Sequence, residues 1–327
     1  MARVLVIGGT LFIGRTLVEQ LLERGDDVVI MHRGARTPFG ERVGEIRCDR
    51  NDSAAVAATL ASERFDVVYD NVYDWQRGTT GDQVVANALA VADGLKRYVF
   101  LSSVAVYPPG GDFDEAATLV PSDYPNLYGA QKADSERALF ALHREQNVPV
   151  TTLRPAFVYG PYNPFEREAF FWDRILAGRP IIVPDDGTRT MQWAHAGDVA
   201  RALMAAADKD VANGNAYNLG NYPAITQLEF VETLARVAGR KPQLSHIPRT
   251  DIEQAGGQLL APPLYFGAFL DIPPITVLVD RAREELGVEA RPLAEGLRDT
   301  FRWYQQQPRP APDYSWEDRL LAAVGSH

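Results

Sequence analysis

The chain has 327 residues, 46% of them hydrophobic, enough to bury one large core or a large and a small core that share an interface. Its net charge of -10 argues against a general nucleic-acid binder, because an acidic surface repels polyphosphate. No apolar run approaches the roughly 18 residues that span a bilayer, and no basic leader precedes the first apolar stretch. We therefore expect a cytoplasmic protein without membrane contact.

Cysteine and histidine give no sign of a metal centre. Cys48 is the single cysteine, so no intramolecular disulfide can form. No Cys/His cluster has the spacing of metal ligands. We expect no metal ion.

The first half of the chain alternates between strand and helix patterns. Residues 4–7 are all apolar, as in a strand buried on both faces, and a helical face follows at 15–24. Further strands are predicted at 27–32, 45–48, 65–71, 97–102 and 150–154, and helices at 52–61, 80–92 and 126–146. This rhythm predicts an α/β protein with a Rossmann-type doubly wound parallel sheet and helices on both faces.

After Pro155 the chain becomes rich in proline, glycine and aromatic residues. We assign residues 1–160 to a dinucleotide-binding domain and 161–327 mainly to a smaller, mixed α/β substrate-binding lobe, with about 190–222 returning to the first domain. Helices are predicted at 167–177, 199–207, 226–238 and 279–286, and strands at 181–183 and 216–219.

Three glycines, Gly8, Gly9 and Gly14, stand where the first strand turns into a helix. Without Cβ atoms, the backbone N–H groups and the helix N-terminus can face a pyrophosphate. The pattern favours a dinucleotide site, and the alternative is a glycine turn without a ligand.

The second strand ends at Arg33, where an NAD-selective site would place a carboxylate. A guanidinium matches phosphate oxygens, so Arg33, together with Arg36, favours NADP over NAD. The alternative is a solvated loop arginine. Asp49, at the third strand tip, either accepts from the adenine amino group or caps the helix that begins near Asp52.

Tyr128 and Lys132 stand four residues apart on a predicted helix. They share one face, so an ammonium can stabilise a phenolate and make the tyrosine a proton-transfer group. Ser102 and Ser103 end the fifth strand, at the edge where ligands lie in such sheets. A serine hydroxyl there either holds a substrate oxygen or bonds only to local backbone.

In this order, the motifs resemble the extended short-chain dehydrogenase/reductase superfamily, in particular its NAD-dependent epimerase/dehydratase branch. The likeness covers nearly the whole chain and is carried by residues 8–14, 101–107, 128–132, 153–161 and 282–287.

The resemblance implies that Ser103, Tyr128 and Lys132 form a catalytic triad. Tyr128 would exchange the hydroxyl proton while hydride passes between the substrate carbon and the nicotinamide, and Ser103 would polarise the oxygen. Lys132 would also hold the nicotinamide ribose, and the backbone after Pro155 would face the nicotinamide amide. The expected cofactor-binding residues are Gly8, Gly9, Thr10, Phe12, Ile13, Gly14, Arg33, Asp49, Asn71, Lys132, Pro155 and Val158.

Substrate selection is expected from polar and aromatic residues, although the aromatic ones can equally be core packing. The candidates are Tyr73, Trp75, Tyr107, Asn163, Arg189 and Trp193.

The chain departs from the family pattern at four places. Leu11 replaces the middle glycine of the turn, and residues 70–73 read Asp-Asn-Val-Tyr where most members have His-x-Ala-Ala. Met191 stands where sugar-nucleotide enzymes have a diphosphate-binding arginine, for which Arg189 is the substitute. Residues 104–105 are Val-Ala where 4,6-dehydratases have Asp-Glu, so we do not expect dehydratase chemistry.

The expected function is that of an NAD(P)-dependent epimerase or oxidoreductase acting by hydride transfer on a hydroxyl or carbonyl of a sugar or sugar nucleotide. One alternative is an NADP-dependent reductase of a non-nucleotide carbonyl, motivated by Arg33 and Met191. The other is a non-catalytic RNA-associated or redox-sensing binder, because Leu11, the altered end of the fourth strand and residues 178–181 resemble the atypical members related to chloroplast stem-loop-binding proteins. Those relatives have largely lost the tyrosine/lysine pair. The superfamily resemblance also suggests a homodimer.

Overall fold

The computed structural model of the chain describes residues 1–34, 37–165, 167–257 and 272–324. Arg36, expected beside Arg33, lies outside these ranges. The chain divides into two compact units. The first comprises Met1–Val158, Ala194–Tyr222 and Ile275–Ala290, and the second comprises Tyr159–Trp193, Pro223–Pro274 and Arg291–His327.

The first unit is built on a seven-stranded sheet in which all neighbouring strands run parallel. Its strands are β1 (Arg3–Ile7), β2 (Asp27–His32), β3 (Gly44–Arg47), β4 (Val67–Asp70), β5 (Arg97–Leu101), β7 (Val150–Pro155) and β12 (Asn215–Leu219). The order across the sheet is β12-β7-β5-β4-β1-β2-β3. Because the chain starts in the middle and winds out to both edges, the predicted doubly wound sheet is confirmed.

Helices cover both faces of this sheet because successive strand residues point to opposite sides. Val4 and Val6 pack with α1 (Phe12–Arg24) and α6 (Ala196–Asp208). On the other face, Leu5 and Ile7 share a core with the remaining helices, α2 (Ser53–Leu60), α3 (Gly81–Ala90) and α4 (Leu127–Gln146).

A third segment of the first unit was not expected there. Strand β6 (Gly110–Phe113) pairs in parallel with β15 (Ile275–Val277), and a π-helical turn follows at Ala282–Leu286. From the sequence, residues 275–290 were expected in the second lobe. A four-residue strand containing two glycines carries no periodic signal, so this pairing was not visible in the sequence.

The second unit is mixed α/β. Two small sheets occur in it, a parallel pair of β9 (Pro180–Pro184) with β14 (Gln243–Ile247) and an antiparallel pair of β10 (Thr190–Met191) with β13 (Ile225–Thr226). Its helices are α5 (Arg167–Leu176), α7 (Gln227–Val237), α8 (Arg249–Gln254), α9 (Leu293–Tyr304) and α10 (Ser315–Val324). The short strands β8 (Phe157–Tyr159) and β11 (Trp193–His195), each with residues in both units, complete the described strands.

Trp193, a candidate substrate residue, is buried and stacks on Phe230 with ring centroids 3.8 Å apart. It therefore packs in a core. In the described part of the chain, no helix is both long and apolar enough to cross a bilayer, and no group of three acidic, histidine or cysteine side chains is arranged to hold a metal.

Candidate functional site

The turn between β1 and α1 is closed so tightly that two of its glycines cannot be replaced. Gly8 has φ +86°, and a Cβ on it would lie 2.9 Å from a Val72 methyl. A Cβ on Gly14 would lie 2.0 Å from the carbonyl oxygen of Gly8. The missing side chains let the helix start directly above the strand end.

Leu11, which replaces the family's middle glycine, has φ -135° and is 62% exposed. Any residue can adopt this extended backbone, so the leucine is tolerated. The left-handed conformation falls instead on Phe12, with φ +46°, which costs roughly 1–3 kcal/mol for a residue with a Cβ. Burial of the Phe12 ring in the core of the first unit offsets that cost.

The N-terminus of α1 suits an anion. Within the described residues no side chain caps this helix, and its first turn carries no acidic residue. The first N–H groups of a helix lack intrahelical acceptors, and the helix dipole adds positive potential there. The backbone of Gly8–Gly14 therefore fits a pyrophosphate.

A cavity of about 240 Å³ opens beside this turn, entirely within the first unit. Its lining comprises Ile7, Gly8, Thr10, Met31, His32, Arg33, Gly34, Cys48, Asp49, Arg50, Asn51, Val72, Tyr73 and Asp74. Next to it, both amide atoms of Asn71 are buried without a hydrogen-bond partner among the described residues. Buried polar groups are normally paired, so an orphaned amide beside a glycine-lined cavity fits a bound dinucleotide.

Arg33 and Asp49 lie at the outer side of this cavity, and neither is a lone loop charge. Arg33 Nη1 lies 2.9 Å from Asp74 Oδ2 and 3.9 Å from Asp49 Oδ2. Asp49 Oδ2 accepts from Arg77 Nη2 at 2.6 Å. Helix α2 is capped by Asp52, which accepts from the Ala55 N–H, so Asp49 is not the cap.

Ser103 lies on a tight 3₁₀ turn, Val104–Val106, directly after β5. Its Oγ accepts from the Ala105 N–H at 3.1 Å, the local bond that the sequence left as an alternative. A hydroxyl that accepts through one lone pair can still donate its hydrogen. Ser103 thus retains a donor at the carboxyl edge of the sheet.

Helix α4 carries both Tyr128 and Lys132 and packs directly on the Ser103 turn. Asn126 caps its first turn by accepting from the Gly129 N–H at 3.3 Å. A Cβ on Gly129 would lie only 2.2 Å from the Ala105 carbonyl oxygen. Gly129 therefore allows the helix and the turn to approach each other, a role that the sequence analysis did not recognise.

Lys132 is 3% exposed, and its Nζ donates to the Leu101 carbonyl at 2.6 Å. The ammonium also lies 4.4 Å from the ring centroid of Phe100 and 5.9 Å from that of Tyr128. Burial lowers the pKa of Lys132 to about 7, because the charged form loses solvation, and the negative charge of Asp70 opposes part of that shift. The lysine is held by the sheet, with the rings of Phe100, Tyr73 and Tyr128 around its ammonium group.

The ring of Tyr128 lies in an aromatic cluster with Tyr73 and Trp75. Trp75 stacks on Tyr128 with centroids 4.8 Å apart, and Tyr73 meets Tyr128 edge to face at 4.8 Å. The Tyr73 hydroxyl donates to Gln131 Oε1 at 2.7 Å, which ties the cluster back to α4. Tyr73 belongs to the altered segment 70–73 and Trp75 follows it in the same loop, so this departure from the family pattern changes one of the two ring contacts of the tyrosine.

A buried ion pair between Arg50 and Asp70 lies close enough to Lys132 for its charges to affect the lysine. Arg50 and Asp70 are both buried and bonded to each other, and the Tyr98 hydroxyl donates to Asp70 Oδ2 at 2.7 Å. Asp70 occupies the position where most members of the family have histidine. This pair could not be recognised in the sequence, because its members are 20 residues apart and Arg50 lies in no motif.

Tyr107, expected to contact substrate, is fully buried. Its hydroxyl donates to Asn218 Oδ1 at 2.9 Å and accepts from Arg154 Nη1 at 2.5 Å. Arg154 is paired in turn with buried Glu136. These bonds anchor the end of the Ser103 turn, so we leave Tyr107 out of the proposed substrate site.

The remaining sequence-predicted residues lie further along the chain. Pro155 ends β7 opposite Leu219, and Val158 is buried in β8. In the second unit, the buried Asn163 amide contacts Glu168, whose pKa is raised to about 7 by burial. Arg189, on the same unit, accepts from the Gln227 N–H through its carbonyl oxygen at 2.9 Å.

Comparisons with known proteins match this architecture. The sequence model of the NAD dependent epimerase/dehydratase family matches residues 4–220. The chloroplast stem-loop binding protein of 41 kDa b from Arabidopsis thaliana is 26% identical over 339 residues, which cover 98% of this chain and 84% of the relative. A dTDP-glucose 4,6-dehydratase from Xanthomonas campestris is 24% identical over 93% of each chain.

One solved structure, MoeE5 in complex with UDP-glucuronic acid and NAD, matches with a TM-score of 0.74 and 26% identity, covering 93% of this chain and 99% of that one. The expected resemblance is thereby confirmed. Since the family model spans well over half of the sequence, the chain belongs to the NAD dependent epimerase/dehydratase family and is an NAD-dependent enzyme.

Proposed function

We propose that this enzyme is an epimerase or oxidoreductase that acts by hydride transfer on a hydroxyl or carbonyl group of a sugar nucleotide. The observation that carries the proposal is the grouping of Tyr128, buried Lys132 and the Ser103 turn at the carboxyl end of β5, in the same unit as the glycine-lined cavity.

We infer the cofactor's position from the residues of the cavity and its surroundings. The Gly8–Gly14 backbone would hold the pyrophosphate, Asp49 the adenine end, and Asn71 and Lys132 the nicotinamide end. Bound NAD supplies the hydride acceptor and donor.

Tyr128 takes the proton from the substrate hydroxyl, or returns it to the carbonyl oxygen. Lys132 as an ammonium stabilises the phenolate form of Tyr128. Ser103, whose Oγ accepts from the Ala105 N–H, donates its hydroxyl hydrogen to the same substrate oxygen. The Trp75 and Tyr73 rings fix the orientation of the Tyr128 ring.

The sugar-nucleotide class is supported by the relatives and by the ligand of MoeE5. Among the reactions of those relatives, 4,6-dehydration is not proposed, because Val104 is buried where dehydratases carry an acidic residue. Epimerisation and simple oxidation or reduction need only the proton-transfer set that this chain has.

The test is turnover of a panel of sugar nucleotides by the purified protein with NAD, followed by NMR. UDP-glucose, UDP-glucuronic acid and dTDP-glucose are the first members of the panel. We expect inversion or oxidation at one sugar carbon in at least one of them, and none with Tyr128→Phe. Turnover confined to NADPH-dependent reduction of simple carbonyl compounds would support the reductase alternative instead.

A second candidate, a stem-loop RNA binder, is favoured by the similarity to the Arabidopsis protein over 98% of this chain. It is opposed by the net charge of -10. Salt-sensitive binding of stem-loop RNA that survives Tyr128→Phe, without any NAD binding, would favour it. The expected homodimer stays a prediction, which sedimentation velocity tests.

A further inference from the structure

Four charged side chains from three loops, those after β2, β3 and β4, form one cluster at the cofactor cavity. We call it the rim cluster: Arg33, Asp49, Asp74 and Arg77. Its centre is Asp74, whose Oδ2 accepts from Arg33 Nη1 at 2.9 Å and from Arg77 Nη2 at 2.7 Å. Arg77 also reaches Asp49, so the two arginines and two aspartates are linked.

Asp74 is the buried member of this cluster. It is 6% exposed, whereas the Arg33 side chain is 59% exposed. Its other oxygen, Oδ1, accepts from the backbone N–H groups of Gln76 and Arg77, both at 3.0 Å. The loop is therefore folded around the carboxylate, which holds the exposed arginine in place.

Asp74 is ionised at neutral pH. Burial alone would raise its pKa, but hydrogen bonds from Arg77 and the charge of Arg33 outweigh burial and hold the pKa well below its usual range. Since the cluster contains two guanidinium groups and two carboxylates, its charges balance.

This charge balance lowers the ability of Arg33 to bind the 2′-phosphate of NADP. A 2′-phosphate brings a charge of about -2 and needs an arginine free to form a bidentate pair. To bind that phosphate, Arg33 would have to give up its bond to the nearly buried carboxylate of Asp74. The phosphate would also be repelled by the negative charges of Asp74 and Asp49. The ribose hydroxyls of NAD need an acceptor and bring no charge. Asp49 retains acceptor capacity, because its Oδ1 and Oδ2 each accept a single bond, from the Asn51 N–H and from Arg77.

We propose that Asp74 determines cofactor selection by pairing with Arg33 and neutralising it, which takes away the guanidinium that a 2′-phosphate would need, so that the enzyme selects NAD over NADP. This reverses the preference for NADP that Arg33 alone suggested. The inference rests on the proposed function only in requiring that this cavity bind a dinucleotide.

The test is calorimetric titration of the full-length protein with NAD and with NADP at low ionic strength, where surface charges are least screened. We expect the wild type to bind NAD at least about tenfold more tightly than NADP. Asp74→Asn keeps an acceptor oxygen for the loop N–H groups but releases both guanidinium groups. The Asp74→Asn variant should therefore bind NADP better relative to NAD, by about tenfold or more. A change of this size corresponds to one charge-assisted hydrogen bond.

Two variants identify the cause of that shift. Adding Arg33→Ala to Asp74→Asn should remove most of the gain in NADP affinity, because the gain depends on the released guanidinium. Asp93→Asn is the matched control, since Asp93 pairs with Arg64 on the surface and is not among the lining residues of the cavity, and it should leave the ratio unchanged. Asp74→Ser, whose hydroxyl can also accept from the loop N–H groups, replaces Asp74→Asn if thermal unfolding shows that the asparagine variant is not folded.

Two results would overturn the inference. A wild type that prefers NADP contradicts it directly, and so does a folded Asp74 variant that binds both dinucleotides with an unchanged ratio. In both cases a dinucleotide still binds, so the proposed function survives. A wild type that binds neither dinucleotide overturns the proposed function and this inference together.

Discussion

The catalytic end and the rim cluster of the first unit are built in different ways. At the catalytic end, Tyr128 and Lys132 lie on one helix, and the lysine is buried and bonded to the adjacent strand. At the rim, Arg33 and its partner Asp74 are 41 residues apart and come from different loops. The first arrangement is fixed by helix geometry, whereas the second exists only in the folded chain.

This difference explains why sequence predicts neighbouring side chains within a helix but does not predict the neighbours of a charge at a strand end. A spacing of four residues on a helix brings two side chains together whatever else the fold contains. A single charge at a strand end has no such fixed neighbour, so its effect depends on what the fold places beside it. Each prediction below changes one contact at the catalytic end, where we expect local geometry to control activity.

The largest effect is expected from Lys132→Met. Loss of the ammonium removes the group that stabilises the Tyr128 phenolate, so kcat should fall by roughly 10²–10⁴, the usual range for a proton-transfer group. Steady-state kinetics with the substrate found in the panel measures it. Lys96→Met, at an exposed lysine paired with Asp66, is the control and should leave kcat unchanged. Equal kcat values for Lys132→Met and the wild type would exclude the lysine from the mechanism.

The same lysine predicts a pH dependence of stability. Its pKa is about 7 in the folded protein and near 10.5 when unfolded, so the unfolded state binds more protons between these values. The wild type should therefore gain stability relative to Lys132→Met as pH rises from 7 toward 10. Below pH 7 the variant should be the more stable by on the order of 2 kcal/mol, because it buries no charge. Urea unfolding at several pH values measures this; a pH-independent difference would contradict the buried charge.

Gly129→Ala should lower both stability and activity. The new Cβ would lie 2.2 Å from the Ala105 carbonyl oxygen, so α4 must move away from the Ser103 turn. We expect a loss of about 1–3 kcal/mol in the free energy of unfolding, as for overpacked cores, and a fall in kcat. In the control Gly81→Ala, the new Cβ lies 3.2 Å from the Asp134 carbonyl oxygen, and the loss should be much smaller. Equal effects of the two substitutions would show that the close approach is unimportant.

The smallest effect is expected from Trp75→Ala. Trp75 is 61% exposed, so its loss should hardly change stability, but Tyr128 loses a stacking partner. An aromatic pair contributes roughly 0.5–1.5 kcal/mol, which corresponds to a two- to twelvefold fall in kcat if the stacking orients the reactive ring. Trp75→Phe should recover most of the activity. A change in KM alone would instead indicate that Trp75 contacts the substrate.

Much of the first unit could be predicted from the sequence. The apolar runs and helical faces between Val4 and Pro155 locate the strands and helices, and Gly25 ends α1 in the left-handed conformation expected of a helix C-cap. The pairing of β6 with β15 could not be predicted, because it joins segments about 160 residues apart. Helices α9 and α10 were likewise not predicted, although α9 has a strongly amphipathic sequence.

The candidate site was predictable where motifs are local, and not where side chains meet through the fold. Gly8, Gly14, Ser103, Tyr128 and Lys132 lie in short patterns whose backbone geometry is largely predetermined. The sequence left Tyr107 open between substrate contact and core packing, and it could not reveal the buried bonds because the partners Asn218 and Arg154 are distant in sequence. For the same reason, the sequence did not reveal Asp74 as the partner of Arg33.

Tyr128 is the proposed proton-transfer residue of an NAD-dependent reaction. The most direct measurement compares the wild type with Tyr128→Phe in two assays, sugar-nucleotide turnover by NMR and NAD affinity by calorimetry. We predict that turnover falls by about 10²–10⁴ while the dissociation constant for NAD stays within about twofold, because only the hydroxyl is removed. Undiminished turnover in Tyr128→Phe would show that the Tyr128 hydroxyl does not transfer the substrate proton.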